Sequence, residues 1–344
     1  MTELSGTILC GEEFEPIRGR VVVEDGRIAA LEETDTDSQR IVVPAFVNAH
    51  THLGDSVAKE AAVGLGLQEA VVPPNSRKHR RLKAASRSEL VTAMRHTLQF
   101  MHDTGTVSTL DFREFGVDGA TALREAGEGL GIDPFIFGSD EISVLDVADG
   151  YGASGANDDD FGDERAATRE RGLPFAIHAG EPDPTDIHPA LDLEPDLLVH
   201  MVHAEADHLE RVAEQSVPIA VCPRANNVLD VGKATIRELL DHTTVALGTD
   251  NVMLNQPSML REMEYTAKHF DVTDREVLRM ATTAGAEIAG LDCGVIEPGR
   301  RAALTVLDGG SHNLIGTENP ISAVVRRATE RDVETVLSGQ SSAN

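Results

Sequence analysis

From residue 41 onward the chain falls into a rhythm that limits what it can fold into: short apolar segments alternate with helical ones. The apolar segments are IVVPAFVNA (41–49), TVSTLDF (106–112), PFIFG (134–138), PFAIHAG (174–180), DLLVHMVH (196–203), VPIAVCP (217–223) and TVALGTD (244–250). A weaker one, DGYGAS (149–154), makes eight. Helical stretches lie between most of them. SELVTAMRHTLQFMHDTG is one; DGATALREAGEGLG is another and closes on Gly, as a helix C-cap does. Parallel neighbours need a long crossover, usually a helix, so the alternation predicts a parallel sheet. About eight such units in roughly 250 residues is the size of a (β/α)8 barrel.

The two ends of the chain have a different texture. Residues 5 to 31 read as short strands with turns, and Asp25-Gly26 between VVV and RIAAL is a hairpin signal. The segment CGVIEPGRRAALTVLDGG, near the other end, is again strand-like and turn-punctuated. The expected fold class is therefore α/β: a (β/α)8 TIM barrel over 44–292, with a small β-sandwich domain formed from both chain ends, 1–43 and 293–344. The patch GASGANDDDFGDE (152–164) reads as a solvated loop.

The stretch VVPAFVNAHTHLGDS (42–56) sets His50 and His52 one residue apart at the end of the first barrel strand. In a strand, residues i and i+2 point to the same face, so both imidazoles can converge on one point. Two neutral imidazoles side by side suit a borderline metal such as zinc, although an isolated H-x-H is also compatible with two unrelated polar residues. Later strand ends add weight. FAIHAGE places His178 and, three residues on, Glu181; LLVHMVH places His200; VALGTD places Asp250. In such a barrel the C-terminal strand ends share one mouth. Buried imidazoles and carboxylates need partners, and a metal gives all of them one.

The motifs P-A-F-V-N-A-H-T-H, H-A-G-E, V-H-M-V-H, C-P-R-A-N and L-G-T-D-N, with the flanking G-x-I-E-P-G-R-R-A-A-L-T-V-L-D, resemble the amidohydrolase superfamily. The resembling branch holds cytosine, guanine and S-adenosylhomocysteine deaminases and the triazine chlorohydrolases, and the likeness spans residues 1 to about 335. It implies that His50, His52, His178 and Asp250 hold a single divalent metal ion, zinc first and iron second. It implies that Glu181 is the proton shuttle and that His200 polarises the attacked group. Asp250 would take the proton of a metal-activated water and orient it. The two-metal branches carry a Lys on the fourth strand; DGYGAS has none, which favours one metal. The implied activity is hydrolytic deamination of a nitrogen heterocycle (a purine, pyrimidine, pterin-like or related ring, with or without an anionic group). The alternative is hydrolysis of an amide, a cyclic amide or a C–Cl bond by the same site. A non-catalytic member would be expected to lack ligands or shuttle, and all six groups are present. The family also implies a homodimer.

Substrate contacts are harder to read. RKHRRLK (77–83) concentrates positive charge in a chain of net charge −28 and lies on the catalytic-face side of a barrel. It is either a solvated helix face or an anion site in which Lys78, Arg80 and Arg81 hold a substrate phosphate or carboxylate. Arg113 and Glu114, just past the second strand, are placed to touch substrate, and His188 can line the mouth. Pro73-Pro74 would stiffen the loop before the basic run. His203-Ala204-Glu205 fits the H-x-E of small cytidine deaminases, but the P-C-x-x-C that family also needs is missing. The remaining histidines, among them His79, His102 and His208, are expected at the surface.

So acidic a chain repels nucleic acid and anionic membranes, leaving a small molecule as the expected partner. Acidic, Lys-poor and Trp-free composition suggests a salt-loving source. Three scattered cysteines make no disulfide framework. With no signal-peptide pattern and no apolar run long enough for a span, the expected location is the cytoplasm.

Overall fold

The computed structural model describes residues 1–72 and 74–339. The Pro73-Pro74 expectation lies partly outside these residues, as does the end of the small domain.

Nine strand segments form one parallel sheet. They are β5 (Phe46–His52), β6 (Thr106–Arg113), β7 (Asp133–Gly138), β8 (Gly150–Ala153), β9 (Phe175–Ala179), β10 (Leu197–His200), β11 (Ile219–Val221), β12 (Val245–Leu247) and β13 (Asp250–Asn251). From β5 to β12 each pairs with the next in sequence order, and β13 returns to pair with β5. The pair β12–β13 is one strand broken at Gly248-Thr249, so the sheet closes into an eight-stranded barrel. Closure is built from specific contacts. The Gly248 amide donates to the Val221 carbonyl at 2.9 Å, and the Thr249 amide to the His50 carbonyl at 3.1 Å. Asn48 clamps the seam, donating to Thr249 Oγ1 at 2.7 Å and accepting from the Thr249 amide at 3.1 Å. A Cβ at Gly248 would stand 2.7 Å from Cβ of His50, so only glycine fits this approach.

The chain ends meet in a six-stranded mixed sheet made of β1 (Thr2–Cys10), β2 (Glu15–Glu24), β3 (Arg27–Glu33), β4 (Ile41–Pro44), β14 (Ala303–Leu307) and β15 (Val333–Ser338). The hairpin at Asp25-Gly26 is present, with both residues at positive φ (48° and 76°), as a two-residue primed turn requires. The run 41–49 is shared between the sheets: 41–44 pairs with β1 and β14, and the chain then enters the barrel at Phe46. Pro44 sits at that hand-over.

Helices cover the outside of the barrel. Arg87–Asp103 starts with a capping box, in which Ser86 and Glu89 satisfy each other's backbone amides. The stretch DREVLRMATTAGAEIAG forms two helices, Asp274–Ala281 and Thr283–Ile288, broken at Thr282. No helix among the described residues is long and apolar enough to cross a membrane.

Candidate active site

The strand ends deliver their side chains to one point. His50 and His52 leave β5 on the same face, His178 comes from β9, His200 from the last residue of β10, and Asp250 from β13. Nε2 of His50 lies 3.3 Å from Nε2 of His178 and 3.5 Å from Oδ1 of Asp250. Nε2 of His52 is 3.6 Å from the same Asp250 oxygen. Glu181, just past β9, places Oε2 at 3.7 Å from Nε2 of His200. His200 and Asp250 both adopt positive φ, 78° and 59°. Non-glycine residues hold this conformation only where the surroundings impose it, and such positions cluster at functional sites.

The outer atoms of the rings fix which nitrogen faces inward. Nδ1 of His52 donates to the Phe112 carbonyl at 3.0 Å, Nδ1 of His178 to the Ala153 carbonyl at 2.9 Å, and Nδ1 of His200 to Oδ1 of Asn226 at 3.0 Å. An oxygen of this kind only accepts, so Nδ1 carries a proton and Nε2 is the nitrogen turned to the interior. Burial pushes the His50 imidazole down to about 3 and His178 well below its usual range, so both are neutral. Burial alone would raise Asp250, but its contact with His50 and the neighbouring imidazoles hold it below the ordinary carboxylate range. The neutral His50 and His178 rings face each other through Nε2 at 3.3 Å beside the Asp250 carboxylate, an arrangement that a cation between them would satisfy. The sets His50/His52/Asp250 and His50/His178/His200 each bring their ligand atoms within 4.8 Å of one another. The donor set thus fits a divalent metal of the zinc type.

A cavity of about 760 Å³ opens beside this cluster. Its wall includes His52, His178, Glu181, His200 and Asp250 on one side and Lys78 and Glu114 on another. Burial raises the Glu181 carboxyl, and Asp250 adds to the shift against the opposing His200. Phe112 packs edge-on against His50, 4.7 Å between ring centroids, giving the cluster an apolar floor.

The expected substrate contacts divide. Lys78 is buried, lines the cavity and ion-pairs with Glu114. Arg113 is not placed to touch substrate: it is fully enclosed, with Nη1 bonded to Oε2 of Glu114 at 2.7 Å. A Cβ at Gly54 would run into its guanidinium, so that glycine makes its room. Arg80 and Arg81 lie on the outer side of helix Arg77–Ala84, and Arg80 turns back to the Asn75 carbonyl. His188 is likewise away from the mouth, held between Asp207 at 3.0 Å and Arg211 at 3.0 Å. His203 bonds the Val231 carbonyl at 2.8 Å.

Some contributors were not expected. His79 lines the cavity instead of the surface, and His208 is buried, accepting from the Glu205 amide at 3.0 Å. Part of the stretch read as a solvated loop, including Asp158, Asp159 and Phe161, forms the cavity wall. Asp55 lies fully buried behind His52, accepting from Asn251 Nδ2 at 3.0 Å and the Met253 amide at 3.1 Å, and burial lifts it to about 7. The only trace of Asp55 in the sequence is its place three residues after His52.

Comparison with known proteins agrees with this geometry. The model of the family described as "Amidohydrolase family" matches residues 41–339. An uncharacterized protein of Methanocaldococcus jannaschii is 32% identical, with 96% of each chain covered. A 5-methylthioadenosine/S-adenosylhomocysteine deaminase of Halobacterium salinarum is 26% identical, covering 98% of this chain and 91% of its own. Among solved structures, the atrazine chlorohydrolase of Arthrobacter aurescens complexed with zinc superposes with a TM-score of 0.81 at 19% identity, covering 99% of this chain and 94% of that one.

Proposed function

We propose that this chain, which belongs to the amidohydrolase family, is a hydrolytic deaminase of an amino-substituted nitrogen heterocycle. That it is a metal-dependent hydrolase acting on carbon–nitrogen bonds is the family's common ground. The deaminase reading is narrower. It is supported by a carboxyl, Glu181, set at the cavity wall beside His200 and raised above the ordinary carboxylate range by burial.

In this reading His50, His52, His178 and Asp250 would hold one zinc ion. When bound, the metal lowers the pKa of a coordinated water toward ~7. The other steps belong to the protein. Asp250, acceptor-only and fixed at the seam of the barrel, orients the water and takes its proton. Glu181 gives its proton to a ring nitrogen of the substrate, takes up the remaining proton of the attacking oxygen as the carbonyl forms, and passes that proton to the departing amine; the proton held by Asp250 then restores Glu181. His200, its Nδ1 tied to Asn226, directs Nε2 toward the oxygen that develops charge during attack. Phe112 and the closed barrel floor exclude bulk water from the far side. A carbonyl and ammonia result.

The test is ammonia release from a panel of amino-purines, amino-pyrimidines and amino-pterins. Activity should vanish on chelation and return with zinc. Turnover of a cyclic amide or a chlorinated ring, with no ammonia from any amino-heterocycle, would move the chain to the alternative hydrolase class.

A further inference from the structure

We propose that Lys83 and His79, backed by the buried Lys78, form a phosphate subsite on one wall of the cavity, so that the substrate is an amino-heterocycle carrying a phosphate monoester. This rests on the deaminase reading above and narrows it.

Three basic side chains of helix Arg77–Ala84 line the cavity that also holds His52 and Glu181: Lys78, His79 and Lys83. Positions 78, 79, 82 and 83 fall within an arc of about 140° on a helix. Leu82, on that arc, is buried and turns it inward. His79 and Lys83, four residues apart, are neighbours on the helix surface. Their burial is graded: Lys78 is 4% exposed, His79 half-buried and Lys83 exposed. Lys83 and His79 are therefore within reach of a ligand, and Lys78 stands behind them.

The two outer donors are open. Lys83 has no ion-pair or hydrogen-bond partner among the described residues, in a chain where 58 acids face 30 bases. Oγ of Ser76 lies 2.8 Å from Nδ1 of His79 and accepts from the His79 amide at 3.3 Å. The ring is thus tied down through Nδ1, and Nε2 is left without a partner among the described residues. Glu114 does not quench them. Its Oε1 is enclosed and shared between Lys78 and His52, and its Oε2 accepts from Arg113 at 2.7 Å. Burial, then Lys78 and Lys83, lower the His79 imidazole against the pull of Glu114. An anion set between Lys83 and His79 would relieve that crowding of positive charge.

The cavity is polar in a directed way. Asp140, Asp158, Asp159 and Glu164 line it too, but they follow β7 and β8, the third and fourth strands of the barrel. The basic helix follows β5, the first. A substrate anion is repelled from the acidic side and has one wall to settle on. Phosphate suits that wall better than carboxylate. Arg80 and Arg81, whose planar forks would match a carboxylate, lie on the outer side of the helix. What faces inward is ammonium and imidazole, point-like donors suited to the three oxygens and near-double charge of a phosphate monoester. A cavity of about 760 Å³ has room for such an arm beside the ring.

The experiment is direct titration of the zinc-loaded Glu181→Gln protein, at fixed ionic strength, with adenosine, guanosine and cytidine and with their 5′-monophosphates. For the ring that the site accepts, the monophosphate should bind at least about 10-fold tighter, the worth of a hydrogen bond to a charged group. Lys83→Ala should bring that preference close to one, Lys83→Arg should keep most of it, and Lys83→Glu should reverse it. Lys83 is exposed, so these variants should fold. Arg80→Ala with Arg81→Ala removes two charges from the same helix and should leave the preference within about twofold. An equal loss there would replace the subsite by a general field and overturn it. Equal affinity within all three pairs, no binding of any of the six, or a preference unmoved by Lys83→Ala, as when zinc itself takes the phosphate, also overturns the proposal. Adenosine 5′-carboxylic acid binding as tightly as the adenosine monophosphate would overturn the choice of phosphate. Ammonia release by the wild-type enzyme on the same compounds separates the two readings. Monophosphate preference without ammonia retires deamination alone; ammonia without that preference retires the phosphate subsite alone.

Discussion

Glu181 illustrates how one residue's chemistry depends on where the chain stops being a strand. His178 is the last-but-one residue of β9, and Gly180 turns the chain at φ 64° so that Glu181 faces the cavity instead of the next helix. Burial then raises its carboxyl, which supports the proton-transfer role proposed for it. Glu181→Gln keeps the shape and removes the transferable proton. The variant should retain its full complement of metal and lose at least about 100-fold in kcat, the usual worth of general acid–base help. Metal content and turnover measured together check this, and loss of metal would make Glu181 a ligand. The cluster around it could be read from sequence because its members lie at period-two or terminal positions of apolar strands, where direction follows from the pleat. Asp55 and the wall-forming Asp158 and Asp159 could not, because acids in a loop look alike whether solvated or enclosed. His188 failed for a related reason: the neighbours that capture it, Asp207 and Arg211, come from a helix that packs beside it in space.

At the scale of elements, helix Arg77–Ala84 is the instructive case. Its positive charge is plain in the sequence, but the rotation of a helix about its axis is set by what it packs on. Here the face carrying Lys78 and Leu82, four residues apart, turns inward against the 3-10 turn Leu53–Ala58, and Arg80 and Arg81 turn out. The rotation of the helix therefore puts Lys78, His79 and Lys83 on the cavity and leaves Arg80 and Arg81 off it. Replacing Arg80 and Arg81 together by Ala should leave KM within about twofold, as for exposed substitutions remote from a site. A larger rise in steady-state KM would return them to substrate binding. The strands show the same division. All eight barrel strands follow from apolar runs and their spacing, and the boundary at 44 marks where the first run passes from the small domain into the barrel. The gap at Gly248-Thr249 between β12 and β13 does not follow: it arises where a strand changes partners, and partner identity is a tertiary property.

For the whole molecule the governing quantity is charge. Fifty-eight acids face thirty bases, leaving −28. The surface offsets part of this with ion pairs: Arg275 and Arg279 reach across from helix Asp274–Ala281 to Glu13, joining the barrel to the loop before β2. Added salt acts on attraction and repulsion in opposite directions. It weakens exposed pairs, each worth ~0–1 kcal/mol, and it screens the mutual repulsion of the acids left in excess. Repulsion outweighs pairing here, because the acids far outnumber the bases and their interactions extend over a Debye length of about 10 Å at 0.1 M salt, shrinking to about 3 Å at 1 M. The thermal midpoint of the zinc-loaded protein should therefore rise steadily between about 0.1 and 1 M KCl and change little beyond, once that range has closed. The rise should be the same in NaCl, since screening depends on ionic strength and not on the cation. Calorimetry in both salts checks it. A midpoint that stays flat or falls would show that pairs such as Arg275–Glu13 hold the fold together more than repulsion strains it. A rise in KCl alone would point to bound potassium in place of screening.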